Sequence, residues 1–307
     1  YKVFKFLIKY VYAANLVLLI MIFAAGKTRG IAGWFKLDFI DRALQPGELC
    51  KISIIVTLSK YVSDCMDKEG KFRGLGYIIK TTMYCAVPTV LVMMQPDFGT
   101  AFVFICIMVF IYFIGRISWG YILTAAGGLA VCMPLAYYFV LSDSQRERID
   151  VFINPESDLQ NSGYNVAQSK IAIGSGQLTG KGFFSEGTLA QLRFVPERHT
   201  DFIFAGIVEG LGFVGGTIII CLFFALIFRW IYIAMRTKDS FGTCLVVGVA
   251  GMFTAHVFEN IGMTIGLMPV TGIPLPFISY GGSNLLTNLI GVGIVENVWM
   301  RRQSKKR

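Results

Sequence analysis

IFAGIVEGLGFVGGTIIICLFFALIF, residues 203–228, contains a single charged side chain, Glu209. A helix crosses a hydrocarbon core of about 30 Å with roughly 20 predominantly apolar residues, so this stretch reads as a membrane span. Comparable runs lie near 7–25, 45–63, 76–94, 100–115, 119–140, 241–265 and 282–299, which makes eight. The whole composition agrees. The 307 residues are 55% hydrophobic and 15% charged, with mean hydropathy +0.62, whereas a soluble domain carries about 25% charged residues. Strict two-residue alternation is absent, which argues against a β-barrel, and a helix satisfies its own backbone in lipid. The expected fold class is therefore an all-α polytopic membrane protein with about eight transmembrane helices. It is one integral membrane domain over residues 1–307, with a single long extracytoplasmic loop at 141–202. The chain starts at Tyr1 with a well-developed apolar run, so an N-terminal segment is expected to be missing.

Charge sets the expected orientation. The densest basic cluster is Arg301, Arg302, Lys305, Lys306 and Arg307, placed in the cytoplasm. Eight spans then put Lys2 and Lys5, the loop with Lys68, Lys71 and Arg73, the turn at Arg116, and Arg229, Arg236 and Lys238 inside as well. The loop 26–44 resists this scheme: Lys27, Arg29, Lys36 and Arg42 fall outside, where they would suit an anionic group. The net charge of +9 comes without a nucleic-acid motif. Nucleic acid is thus not an expected partner, whereas anionic membrane lipids or a phosphorylated substrate are. The seven cysteines lie in or beside apolar runs without CxxC or His/Cys metal spacing, so they read as small buried or lipid-facing residues.

Within 141–202, residues 142–148 are charged, NPESDLQNS (154–162) is turn-rich, and YNVAQSKIAI (164–173) fits a short amphipathic helix. GSGQLTGKGFFSEGT (174–188) is glycine-rich but lacks the setting of a nucleotide-binding loop. It reads as a loop whose backbone can approach a ligand. Two more irregular stretches, QPDFGT (95–100) and PVTGIPLPFISYGGS (269–283), interrupt the helical pattern at membrane depth. Irregular backbone there needs protein or a wet cavity around it. All three fall on the outer side, which suggests a cavity opening outward.

Asp201 ends the polar stretch PERHTD (196–201) where a span begins. Thr200 or Asp201 could cap that helix, and Asp201 could equally serve as a general base. Glu48 and Lys51, three residues apart, share a helix face. They could pair locally, or Lys51 could hold a phosphate as a point charge. Asp97 is either a turn or cap residue after Pro96 or a carboxylate for a cation or sugar hydroxyl. His256 and Glu259 read as an internal hydrogen-bonded pair. Glu209, two turns below Asp201, could line a cavity floor or bond a neighbouring element.

Five stretches in order resemble one family: QPGELCK (45–51), QPDFGTA (95–101), NPESDLQNSGYNVAQSKIAIGSGQLTGKG (154–182), FVPERHTDFIFAGIVEGLGFVGG (194–216) and NIGMTIGLMPVTGIPLPFISYGGSNLLTN (260–288). The chain resembles the SEDS proteins (shape, elongation, division and sporulation), the RodA/FtsW/SpoVE group, and PERHTDFIF and SYGGSNLLTN look most like RodA. The resemblance implies a ten-helix fold in full, of which two N-terminal helices would be absent here. It implies a peptidoglycan glycosyltransferase of the bacterial cytoplasmic membrane that polymerises lipid II, its active site facing outward. A divalent cation, Mg²⁺ or Mn²⁺, and a class B penicillin-binding protein as partner transpeptidase are expected with it.

Carried over by residue, Asp201 matches the acidic residue held to be catalytic. Glu48, Lys51 and Asp97 match polar residues of a central cavity, and Trp34 matches a tryptophan of the first outer loop. Arg198, His199, Thr200, Gln191 and Ser279 complete the candidate substrate-binding set, and Asp201, Asp97 and Glu48 are the candidates for a metal. The sequence departs from the pattern at Gly210, where glutamate often follows Glu209, at Asn284, where serine is common, and at Arg42, one position from the basic residue sometimes found before QPxE. Two rival readings are a flippase for the same lipid, since Pro/Gly-interrupted spans mark transporters, and a scaffold that recruits a synthase. A scaffold leaves Glu48 and Lys51 without a purpose.

Overall fold

A computed structural model of the chain describes residues 4–25, 35–37, 42–139, 143–153, 162–182, 197 and 199–301. The elements run α1 (Phe4–Ala25), β1 (Phe35–Leu37), β2 (Arg42–Leu44), α2 (Pro46–Glu69), α3 (Leu75–Met93), α4 (Phe98–Ile114) and α5 (Trp119–Phe139). They continue with α6 (Asp143–Ile153), α7 (Ser162–Ser175), α8 (Ile203–Arg236), α9 (Ser240–Thr264) and α10 (Gly282–Arg301). Helices occupy all eight stretches expected to be spans. Among the described residues α1, α3, α8 and α9 are long and apolar enough to cross a membrane, and α4 is a shorter apolar helix.

The region 141–202 holds more structure than expected. The amphipathic segment lies inside α7, and the charged stretch after 142, which gave no helical signal, opens α6. The loop 26–44 contains an unanticipated antiparallel hairpin, with Phe35 opposite Leu44 and Leu37 opposite Arg42.

Local chemistry sets the helix ends. Pro46 takes the first turn of α2, where its missing N–H costs nothing. Gly70 ends that helix in the left-handed region at φ 73°, donating its N–H to Met66 O at 2.8 Å. Inside α3, Pro88 cannot donate to the carbonyl four residues back. That carbonyl belongs to Tyr84, and the Tyr12 hydroxyl of α1 donates to it at 3.0 Å. The gap left by the proline thus becomes a tie between helices. The Tyr84 ring stacks on Tyr61 of α2 at 4.8 Å, their hydroxyls 3.0 Å apart.

The chain divides into two compact units, each assembled from separated stretches. The first comprises residues 1–118, 226–255 and 281–307. Its core joins α2, α4, α9 and α10 through residues such as Leu58, Phe104, Ile107, Phe253 and Val295, all fully buried. The second comprises residues 119–225 and 256–280. It is built on two smaller clusters: Val166 and Ala172 with Phe202 and Ala205, and Phe204, Val208 and Phe223 with Ile261 and Leu275.

The second unit contains a break in α8 at Gly212 (φ 71°, ψ −171°). A break strands N–H groups after it and carbonyls before it, and these must find partners when buried. The glycine-rich loop supplies them. Phe213 and Val214 donate to Gln177 O and Leu178 O at 2.8 and 3.2 Å, and Glu209 O and Gly210 O accept from Lys181 and Gly182 at 3.0 and 2.9 Å. The approach is too close for side chains. A Cβ on Gly180 would lie 2.2 Å from Gly210 O, and one on Gly212 would lie 2.3 Å from Gly180 N. Over residues 176–182, therefore, the glycines let the loop backbone pack against this chain's own helix. The remainder of that run, 183–188, lies outside the described residues.

Candidate functional site

In the first unit, three of the sequence motifs meet at helix starts. Asp97 is the N-cap of α4: Oδ1 accepts from the Thr100 N–H at 3.0 Å, and Oδ2 accepts from the Thr100 hydroxyl at 2.9 Å. Oδ2 also accepts from Gln45 Nε2 at 2.9 Å. The Gln45 N–H in turn donates to the Ser283 hydroxyl at 3.2 Å. Asp97 thus caps a helix and cross-links the start of α2 to the start of α4, while Ser283 holds α10 to the same place. One turn further along α2, Lys51 Nζ lies 2.7 Å from Glu48 Oε1, with side-chain exposures of 0% and 2%. The pairing expected from their spacing forms, and both charges are buried. Removing either member of such a pair would leave an uncompensated buried charge.

In the second unit, the turn carrying Asp201 is built locally and then clamped from outside. Thr200 and Phe202 donate their N–H groups to Glu197 O at 3.1 and 3.2 Å. The Thr200 hydroxyl lies 3.0 Å from Glu197 Oε2 and so turns into the loop. Helix α8 starts at Ile203, two residues after Asp201. Three consecutive carbonyls of this turn then accept hydrogen bonds from distant residues. Tyr280 N–H donates to His199 O at 2.9 Å. The Ser279 hydroxyl donates to Thr200 O at 2.6 Å while accepting from the Leu275 N–H at 2.8 Å. Asn260 Nδ2 donates to Asp201 O at 2.9 Å and to Ile273 O at 2.7 Å. The Asp201 carboxylate lies against Gly272, whose φ is +75°; a Cβ there would be 3.4 Å from Asp201 Oδ2.

Helix α9 is the rigid support behind this arrangement. His256 Nδ1 lies 3.3 Å from Pro274 O, and Thr264 O accepts from Ser169 of α7 at 2.8 Å. One face of α9, at positions 256, 260 and 264, therefore anchors the irregular segment, the Asp201 turn and α7. Glu209, 1% exposed, has Lys181 Nζ at 3.7 Å from its Oε1, so it bonds to the loop that fills the α8 break.

The structure thus brings Asp201, Thr200, His199 and Ser279 together in one unit, and Glu48 with Lys51 in the other. Trp34, Gln191 and Arg198 lie outside the described residues. Sequence reasoning passed over Gln45, Lys181, Gly272 and Asn260. For Asn260 a signal existed, since a polar amide inside an apolar helix is costly and needs a partner. Among the described residues no three His, Cys, Asp or Glu side chains gather as a metal site.

Long apolar helices, one of them preceded by a clamped acidic turn, define an integral membrane protein. Comparison with known proteins gives the family. Residues 1–304 match the model of the FtsW/RodA/SpoVE family, described as a cell cycle protein. The chain is 38% identical over 296 residues to the peptidoglycan glycosyltransferase MrdB of Escherichia coli (strain K12), covering 96% of this chain and 78% of that protein. It is 37% identical over 296 residues to the stage V sporulation protein E of Bacillus subtilis (strain 168), covering 92% and 75%. A chain of a solved peptidoglycan synthase complex that coordinates polymerization and crosslinking matches with TM-score 0.81 at 27% identity, over 100% of this chain and 84% of that one. The rod shape determining protein RodA of Thermus thermophilus matches with TM-score 0.69 at 26% identity, over 98% and 80%. The chain belongs to the FtsW/RodA/SpoVE family.

Proposed function

We infer that the chain is a peptidoglycan glycosyltransferase, as its relatives are named, and that Asp201 is its general base. The observation that carries the second part is the clamp. Hydrogen bonds from Tyr280, Ser279 and Asn260 fix the backbone on both sides of a partly buried carboxylate. A base held in place removes a proton without first reorganising.

The substrate is lipid II, reached from the outer face of the bacterial cytoplasmic membrane. The 4-hydroxyl of one lipid II N-acetylglucosamine attacks the anomeric carbon of the N-acetylmuramic acid of another. Asp201 takes the hydroxyl proton as the new C–O bond forms. The bond from that carbon to the pyrophosphate oxygen breaks, and undecaprenyl pyrophosphate leaves with the electron pair. Attack opposite the α-linked leaving group gives a β-1,4 bond with inversion. The natural partner is a class B penicillin-binding protein, which would crosslink the strand produced. The transporter reading draws on the interrupted stretches near Asp97 and Pro269–Pro276, but Asp97 works there as the α4 cap and as the acceptor of Gln45, and the second stretch is held to α9 through Ile273 O and Pro274 O.

The test is polymerisation of lipid II by the purified full chain with its partner transpeptidase, scored as glycan strands, beside a liposome lipid-translocation assay. Asp201→Ala should abolish strands while leaving expression and folding intact. Strand formation by Asp201→Ala would refute the assignment of the base. Translocation without polymerisation by the wild type would favour the flippase.

A further inference from the structure

Asp201 has two flanking peptide planes, and both are held from outside its own turn. The plane before it contains Thr200 O, which accepts from Ser279 at 2.6 Å. The plane after it contains Asp201 O, which accepts from Asn260 at 2.9 Å, and the N–H of Phe202, which donates to Glu197 O at 3.2 Å. Peptide units are rigid and planar, so fixing both planes fixes the direction of the Asp201 Cα–Cβ bond between them.

Asn260 contributes in a second way. Its other Nδ2 proton goes to Ile273 O at 2.7 Å. Ile273 follows Gly272, the residue against which the Asp201 carboxylate lies. One amide thus ties the backbone that carries the carboxylate to the backbone beside the carboxylate. Both acceptors are carbonyls, so the orientation of the amide is unambiguous. The side chain is fully buried, and it stands on α9 one turn from His256, which meets Pro274 O at 3.3 Å.

We propose that Asn260 is a positioning residue for the general base, holding the Asp201 carboxylate in register with Gly272 without touching substrate. This rests on the reading of Asp201 as the base. Asn260 acts through Asp201, so its loss belongs in kcat and leaves substrate binding alone. A misplacement of about 1 Å in a catalytic group costs on the order of 10²-fold in rate.

The experiment uses the full chain with its partner transpeptidase and lipid II. Steady-state kcat and KM are measured per folded molecule for wild type, Asn260→Ala, Asn260→Asp, Asp201→Ala, Asp201→Glu and the double variant Asn260→Ala/Asp201→Glu. Asn260→Asp keeps the shape and presents an oxygen to both carbonyls. Both Asn260 variants should lose kcat on the order of 10²-fold with KM little changed. The double variant should fall little below Asp201→Glu alone, because residues acting as one unit are not additive. Unchanged kcat, a rise in KM with kcat preserved, or full additivity in the double variant would overturn the proposal. If Asn260→Ala does not fold, Asn260→Ser carries the same comparison. The two readings fail separately. Activity in Asp201→Ala removes the base, whereas a dead Asp201→Ala beside a fully active Asn260→Ala removes only the positioning role.

Discussion

Replacing Gly180 by alanine tests whether the loop at 176–182 is part of α8 in structural terms. The added Cβ would lie 2.2 Å from Gly210 O and 2.5 Å from Gly210 C, with φ at +79°. No side-chain rotation relieves a clash with backbone, so the loop must lift away from the break. Lifting it breaks the bonds from Lys181, Gly182, Phe213 and Val214 that stitch loop to helix. At a net worth of about 1 kcal/mol each, their loss costs about 4 kcal/mol. Keeping the loop down instead costs about 1–2 kcal/mol of left-handed backbone strain in addition to the overlap. For a protein of this size about 4 kcal/mol lowers Tm by roughly 8 °C. The assay is thermal unfolding of the purified protein in detergent, with Gly174→Ala as control. Gly174 lies in α7 with nothing within 4 Å of a new Cβ, so that variant should melt at or slightly above wild type. Equal melting of Gly180→Ala and wild type would show that the loop does not fill the break.

Other substitutions probe the remaining sites. Lys51→Met strands the buried Glu48 carboxylate and should cost about 3–5 kcal/mol; Glu48→Gln/Lys51→Met should recover most of it, and a melt as low as that of Lys51→Met would contradict the pairing. Gly272→Val places a branched side chain at φ +75° beside Asp201 Oδ2; it should reduce kcat more than about 10-fold, by displacement of the base, with KM for lipid II preserved. Wild-type kcat in Gly272→Val would show that the carboxylate does not work in contact with that residue.

Much of the helical framework was legible because lipid imposes one rule on every span. A run with few charges over some 20 residues has few alternatives to a helix, and the eight runs became α1 to α5 and α8 to α10. The charged stretch at 143–153 was not legible as α6, since its apolar residues, Ile149, Val151, Phe152 and Ile153, are confined to its last turns and give too short a run to read as a period. Asp97 was readable as a cap from Pro96 before it and an apolar run after it, and the structure makes it one. Its second role, accepting from Gln45, joins positions 52 residues apart, and no local pattern encodes that.

The same division runs through the candidate site. The sequence alone determined that this is a polytopic α-helical membrane protein, that Glu48 and Lys51 share a helix face, and that Asp201 marks the junction of a polar stretch with a span. These properties depend on composition and on spacings of a few residues. Tertiary structure decided what surrounds Asp201. The donors to three successive carbonyls come from positions 280, 279 and 260, and the glycine beneath the carboxylate is residue 272. Residues 272, 279 and 280 are brought there by chain reversal between α9 and α10, residue 260 stands on α9 itself, and sequence patterns carry no distance information on that scale. The glycines at 176–182 make the same point. Their freedom was visible in the sequence, but only the break in α8 shows that it is used for packing backbone against backbone.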